Sequence, residues 1–236
     1  MLRKNPGFTL VAVLTLALGI GANSAIFSVV HAVLLQPLPY KNPARLLNIS
    51  ALNRPTGATG VNMSFTKFTQ IREQSHTLES AGAFYPTTVS LVTEREPEAI
   101  NANRVSQNFF RVLGISPNRG RDFLPEEEAE GAGDVAIISD GFWHSHFGAD
   151  PRALGRVMSI DGRSVTLVGI LPPNFDFPLQ FPEPNIWMPR VSDPAFLRPE
   201  MVRTGAGYLN VIARLRAGET LASARAEMDT DRKSVV

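Results

Sequence analysis

The chain has 236 residues, a net charge of +1 from 23 basic and 22 acidic side chains, and no cysteine. That length allows one large domain or two small ones. The missing cysteine excludes disulfides, thiolate catalysis, cysteine-ligated zinc and a cysteine-linked lipid anchor. Basic and acidic residues balance along the chain after Lys41, which leaves no electrostatic footprint for nucleic acid.

Hydrophobic residues make up 44% of the chain but are unevenly placed. Arg3 and Lys4 precede Phe8 to Leu35, which is nearly free of charge. As a helix this stretch is about 42 Å long at ~1.5 Å per residue, more than the ~30 Å core of a bilayer. Pro6 and Gly7 suit its start, and Pro37 and Pro39 stop it. Ala17, Gly21, Ser24, Ser28 and His31 recur every three or four residues, which draws one seam of small and polar side chains along the helix. In lipid such a seam lets a partner backbone approach and offers hydrogen bonds across the contact. The residue types alone also allow an ordinary membrane helix with no dedicated partner. A cleaved signal peptide is a competing reading, with Ala22-Asn23-Ser24 as a weak site. The apolar pattern runs well past that site and favours an uncleaved anchor. Arg3 and Lys4 before the span and Lys41 and Arg45 after it leave its orientation open.

The soluble part reads as alternating strands and helices. Arg45 to Leu52 is a predicted strand, and Arg54 to Asn62 a turn region. Ser64 is positioned to cap a helix with Phe65, Phe68 and Ile71 on one side. Ala81 to Val92 is β-rich but broken by Pro86, and Ala99 to Val105 is a strand. Ser106 caps a short helix burying Phe109, Phe110 and Leu113 and ending at Gly114. Pro125 to Gly133 is either a solvated acidic loop or a first helical turn. Val135 to Ile138 is a short buried strand. Ser139 or Asp140 then caps an aromatic helix with Phe142, Trp143 and Phe147, closed by Gly148. The echo between Ser106-x-x-Phe109-Phe110 and Ser139-x-x-Phe142-Trp143 is either a repeated unit or one capping solution used twice. Asp161-Gly162 is a two-residue hairpin turn, because both positions favour φ > 0. Val165 to Ile170 is apolar on both faces. Pro172 to Pro194 is proline-rich and irregular around Asn185 to Pro189. The stretch through Pro199 is a contact loop or a structural connector. Tyr208 to Leu215 is a strand, and the last helix places Leu221, Ala224 and Met228 inside. No long parallel βαβ run occurs, so the class is α+β.

Catalytic patterns are scarce. There is no phosphate-binding G-x-x-x-x-G-K-[ST] loop and no G-x-S-x-G elbow. His144 and His146 lie two apart on a helix and point in different directions, which does not suit a shared metal. Glu126, Glu127 and Glu128 lack the spacing of a calcium loop. Asp140 reads as a cap, and no nucleophile–base–orienter set appears.

Several stretches together resemble one family. KNPGFTLVAVLTLALGIGANSAIFSVVHAVLLQPLPY resembles the first membrane helix of MacB/FtsX-type ABC transporter permeases, in particular the large permeases of that kind abundant in acidobacteria. VSQNFFRVLGISPNRGRDF, VAIISDGFWHSHFG, GRVMSIDGRSVTLVGILPPNF and YLNVIARLRAGETLASARAEM resemble successive segments of the MacB-like periplasmic core domain. The resemblance implies one N-terminal transmembrane helix followed by a mixed α+β periplasmic core. Its divisions would be a cytoplasmic N-terminus at 1–7, a transmembrane helix and stalk at 8–36, the core at 41–228, and a tail at 229–236. It implies a bacterial inner-membrane protein working with a separate ABC ATPase subunit and a second permease copy, as a homodimer or pair. Motion of the membrane helices would pass through the stalk to the periplasmic domain, in export or mechanotransmission. The family carries no catalytic residues, cofactor or metal, so the chain is expected not to be an enzyme. The later membrane helices and the last part of the core do not occur in these residues, so the chain reads as an N-terminal fragment. The alternative is a single-span anchored interaction module without transport activity.

Overall fold

The structure, a computed structural model, describes residues 6–30, 40–53, 58–92, 96–129, 131–191 and 206–231. Two units divide at residue 38, Met1–Leu38 and Pro39–Val236. The first holds helix α1 (Pro6–Val30), which has no acidic residue in its first turn and no basic residue in its last. Its apolar side chains are laid bare: Leu10, Leu14, Leu16, Leu18, Ile20 and Phe27 are all exposed, Leu18 by 78%. Thr15 Oγ1 donates back to the Val11 carbonyl at 2.9 Å, so this hydroxyl needs no outside partner. Among the described residues no helix is long and apolar enough to cross a membrane.

The second unit is built from strands β1 (Leu46–Ile49), β2 (Ala51–Asn53), β3 (Ala58–Val61), β4 (Leu78–Val92), β5 (Glu98–Val105), β6 (Arg119–Gly120), β7 (Val135–Ile138), β8 (Val157–Ile160), β9 (Arg163–Ile170), β10 (Ile186–Met188) and β11 (Asn210–Leu215). Helices α2 (Phe65–Gln74), α3 (Phe109–Leu113), α4 (Asp140–Phe147) and α5 (Leu221–Asp231) pack among them. The mixed α+β class expected from the sequence is what is found.

Two parts share β4. In the base, β1, β11 and the first half of β4 pair antiparallel in that order. Residues alternate along these strands, so Leu47, Ile49, Val211, Ala213, Ala81 and Ala83 form one face, covered by Phe68 and Ile71 of α2 and Ala224 of α5. In the lobe, β4 pairs β5, β5 pairs β10, and the pairing continues through β7 and β9 to β8, which returns to β4 at Leu91 and Val92. These six strands close a ring. Val89, Ile100, Ala102, Ile138, Leu167 and Ile186 fill it, with Phe142 and Trp143 of α4 packed against them. Between lobe and base lies an aromatic core in which Phe84 and Phe177 meet edge-on at 5.1 Å and Phe110 and Trp187 at 5.9 Å.

Local signals hold in several places. Ser64 Oγ accepts from the Lys67 N–H at 3.3 Å and Ser139 Oγ from the Phe142 N–H at 3.1 Å, each capping its helix. Asp161 (φ 51) and Gly162 (φ 75) make the hairpin turn between β8 and β9.

Several expectations are corrected. Ser106 does not cap α3. Its Oγ accepts from the Ala83 N–H at 3.0 Å and donates to Asn108 Oδ1, so the two Ser-x-x-aromatic stretches do different work. Pro86 does not break β4, which runs through it for 15 residues. The Ser106 N–H donates to the Ala83 carbonyl, which sets the phase of the β4–β5 ladder. In that phase residue 86 turns its nitrogen away from β5, toward the side where pairing with β11 has ended at Phe84. The strand expected over 45–52 is interrupted at Ser50, and part of the expected turn region, Ala58–Val61, pairs with β2. On β9, Val165 and Leu167 are buried while Thr166 and Val168 are half-buried. Leu221 is 47% exposed rather than inside.

Candidate functional site

Backbone geometry gathers the seam of α1. At ~100° per residue, Ala17, Gly21, Ser24 and Ser28 fall within about 60° of arc. Ala17, Gly21 and Ser24 are exposed. A Cβ placed on Gly21 would meet nothing within 4 Å. Ser28 lies on the helix, and His31 lies outside the described residues.

In the second unit the chain enters and leaves through the base, and both passages are clamped. At the entrance, Tyr40 is buried and its hydroxyl donates to the Asp176 carbonyl at 3.0 Å. Burial, with the Asp176 charge nearby, pushes its phenol well above the ordinary range. Arg214 of β11 is 5% exposed. Its Nη1 donates to the Lys41 carbonyl at 2.7 Å and its Nε to the Val112 carbonyl at 2.9 Å. One buried guanidinium therefore ties the entering chain, α3 and the central base strand together. Desolvation lowers its pKa, but an arginine stays charged under any such shift.

At the exit, Glu227 of α5 reaches the loop before β4. Its carboxylate accepts from Ser75 Oγ at 2.7 Å, the His76 N–H at 2.6 Å, the Thr77 N–H at 3.2 Å and Thr77 Oγ1. Desolvation pushes this carboxyl up, but the four hydrogen bonds outweigh it and hold the pKa at about 2. Between α2, α5 and β1 lies a groove of about 770 Å³. Leu47, Ile49 and Leu52 are among the residues of its floor and Lys67, Gln70 and Arg225 among those of its rim.

The acidic stretch is ordered by arginines instead of solvent. Glu127 is buried in a 3₁₀ turn (Pro125–Glu128) and takes a two-pronged pair from Arg121 at 2.6 and 3.0 Å. Glu128 pairs with Arg72 at 3.4 Å, which joins this turn to α2. Asp134 receives Arg163 at 2.7 Å and the buried Arg190, which also donates to the Ala132 carbonyl at 2.6 Å. His144 and His146 go to different carboxylates, Asp140 at 3.2 Å and Glu98 at 3.1 Å, with His146 stacked on Phe142. Among the described residues no group of three or more His, Asp or Glu could hold a metal ion. Sequence reading missed the Arg214, Glu227 and Asp134 clusters. An arginine at a buried position of an apolar strand, Arg214 in NVIARL, was the one signal for any of them.

The fold is a closed-ring lobe on a sheet-and-helix base, preceded by an uncharged apolar helix. Solved structures share it. The periplasmic region of MacB from Actinobacillus actinomycetemcomitans matches with a TM-score of 0.57 at 16% identity, covering 80% of this chain and 82% of that one. A domain of a putative permease protein from Porphyromonas gingivalis matches at 0.58 and 16% identity, covering 82% and 86%. The extracellular domain of the noncanonic ABC-type transporter YknZ from Gram-positive bacteria matches at 0.51 and 15% identity, covering 75% and 86%. No curated protein matches the sequence. The pattern of the MacB-like periplasmic core domain covers residues 9–231. The chain belongs to that family, the periplasmic domain of MacB/FtsX-type ABC transporter permeases.

Proposed function

We propose that the chain is the N-terminal part of a permease subunit in an ATP-driven export or mechanotransmission complex. In this reading α1 anchors it in the bacterial inner membrane, within an apolar and stalk segment at 8–36. Residues 1–7 are cytoplasmic and the core from residue 41 is periplasmic. A separate ABC ATPase and a second permease copy are its partners, and the core transmits motion and carries out no chemistry. The observation that supports this most directly is the surface of α1, where Leu10, Val11, Val13, Leu14, Leu16, Leu18, Ile20 and Phe27 are uncovered. In water each would cost roughly 1.5–3 kcal/mol relative to burial, and lipid or neighbouring helices remove that cost.

The two clamps give motion of the helix a route into the core. A pull on the chain at Tyr40–Lys41 is borne by Arg214 of β11 and the end of α3. The Glu227 clamp holds α5 to the start of β4, the strand shared by base and lobe. The first test is carbonate washing of membranes from cells making the chain. Retention in the pellet is expected. Leu16→Arg adds roughly 2.5–3.5 kcal/mol to insertion at the middle of a span and moves the chain to the supernatant. A wild-type chain found wholly in the supernatant overturns the anchor and with it the permease reading.

A further inference from the structure

At the surface of the lobe three side chains stand in hydrogen-bonding order. Ser145 Oγ lies 2.8 Å from His146 Nδ1, and His146 Nε2 lies 3.1 Å from Glu98 Oε2. Ser145 and His146 belong to the last turn of α4, and Glu98 opens β5, 48 positions earlier. The imidazole is fixed from a third side, because its ring stacks on the buried Phe142 at 3.9 Å and 16°. Ser145 is exposed, and the His146 side chain is 24% exposed.

A carboxylate only accepts, so Glu98 assigns the proton of the neutral imidazole to Nε2. Nδ1 is then a bare acceptor, and the donor within its reach is the Ser145 hydroxyl. This is the order nucleophile, base, orienter, with the two ring nitrogens exchanged relative to the usual serine triad. The hydroxyl has a second place for its proton, since Oγ is also 3.0 Å from the Gly141 carbonyl and 3.2 Å from that of Phe142. Once the imidazole is charged, Nδ1–H donates to Oγ and the hydroxyl turns to a carbonyl. The other Ser–His neighbours are arranged differently. Ser75, beside His76, donates to Glu227 at 2.7 Å, and His144 turns to Asp140.

We propose that Ser145 is an acyl-acceptor site, modified by activated esters such as phenyl esters or thioesters, with His146 as base and Glu98 as the positioning residue. Ser145 Oγ attacks the ester carbonyl and forms an Oγ–C bond while its proton passes to His146 Nδ1. The bond from the acyl carbon to the leaving oxygen or sulfur breaks, and the proton departs with that group. The substrate class follows from what α4 withholds. Ser145 lies inside the helix, where backbone N–H groups are bonded along it, so an oxyanion gains no main-chain donor. The acyl donor must therefore bring a good leaving group, which amides and alkyl esters lack. For the same reason the alkyl ester formed on Ser145 persists, and the step modifies the chain once without turnover. The inference rests on side-chain geometry and is independent of any transport role.

The test treats the purified full chain in detergent micelles with p-nitrophenyl acetate and reads acetylation of individual serines by peptide mass spectrometry. Ser164, exposed and with no histidine beside it in the sequence, is the internal reference. Ser145 is expected to react faster than Ser164 by roughly tenfold or more. His146→Gln brings that ratio to about one. Glu98→Ala lowers it by roughly threefold or more, and Glu98→Gln, which keeps an acceptor oxygen for Nε2–H, restores most of it. A wild-type ratio near one overturns the proposal without any variant and leaves Ser145 a helix serine bonded back to Gly141. A high ratio that His146→Gln does not lower also overturns it, as does a Glu98→Gln ratio as low as that of Glu98→Ala.

Discussion

Replacing Glu227 by glutamine tests the exit clamp. The wild-type carboxylate has a pKa of about 2 against an ordinary value of 4.5. Were the group fully buried, that difference would correspond to roughly 3.4 kcal/mol at ~1.36 kcal/mol per pH unit. Most of the carboxylate stays near solvent, so screening reduces the expected contribution to roughly 1–2 kcal/mol. The sign follows from the lowered value. The native state binds the proton more weakly than the unfolded chain, so the clamp contributes fully above pH ~4.5 and fades as pH falls through about 2. Glutamine keeps the shape and one carbonyl acceptor but loses the charge that strengthens all four bonds. Amide exchange along Leu221–Asp231, read at a series of pH values, is the assay, because α5 opens before the core does. The expected result is a wild-type-minus-variant difference of roughly 1–2 kcal/mol at pH 7 and near zero at pH 2. A difference below ~0.3 kcal/mol at pH 7, or one that does not change between pH 5 and pH 2, refutes the reasoning.

Three further outcomes are expected. Asp134→Ala removes the carboxylate shared by Arg163 and the buried Arg190 and destabilises the lobe by roughly 3 kcal/mol in urea melts; a loss below ~1 kcal/mol argues against a structural cluster. Gly120→Ala destabilises by more than ~2 kcal/mol, because φ is +76° and a Cβ would sit 2.2 Å from the Val168 carbonyl oxygen. Near-neutral thermal melting would show that β6 can shift at no cost. Single cysteines at Ala17, Gly21 or Ser24, in a chain that has none of its own, cross-link to a neighbouring helix in membranes. A cysteine at Ala22, about 140° around the helix from Ala17, does not. Equal cross-linking at all four removes the seam.

Much of this architecture is legible from short-range physics. Absence of charge from Pro6 to Val30 specifies an apolar helix, whatever surrounds it. Ser64 and Ser139 cap helices because a hydroxyl two or three residues before free N–H groups needs no distant partner. Asp161-Gly162 turns the chain because its preferred φ values do. Ser106 shows where such reasoning ends. It has the same local credentials as Ser139, but the Ala83 N–H, 23 residues earlier, takes its oxygen.

The decisions made by tertiary structure are those that join distant residues. Pro86 reads as a strand breaker until the phase of the β4–β5 ladder turns its missing donor away from the partner strand. Glu127 reads as solvated until Arg121 folds over it. Glu227 meets its loop across 150 residues of sequence, and the lobe closes only where β8 returns to β4. The sequence by itself determined the apolar helix, the caps, the hairpin turn and the α+β class, because each is decided within a few residues along the chain. The two clamps and the ring depend on which segments meet in space. Long-range pairing and desolvation decide that, and no local pattern encodes either one.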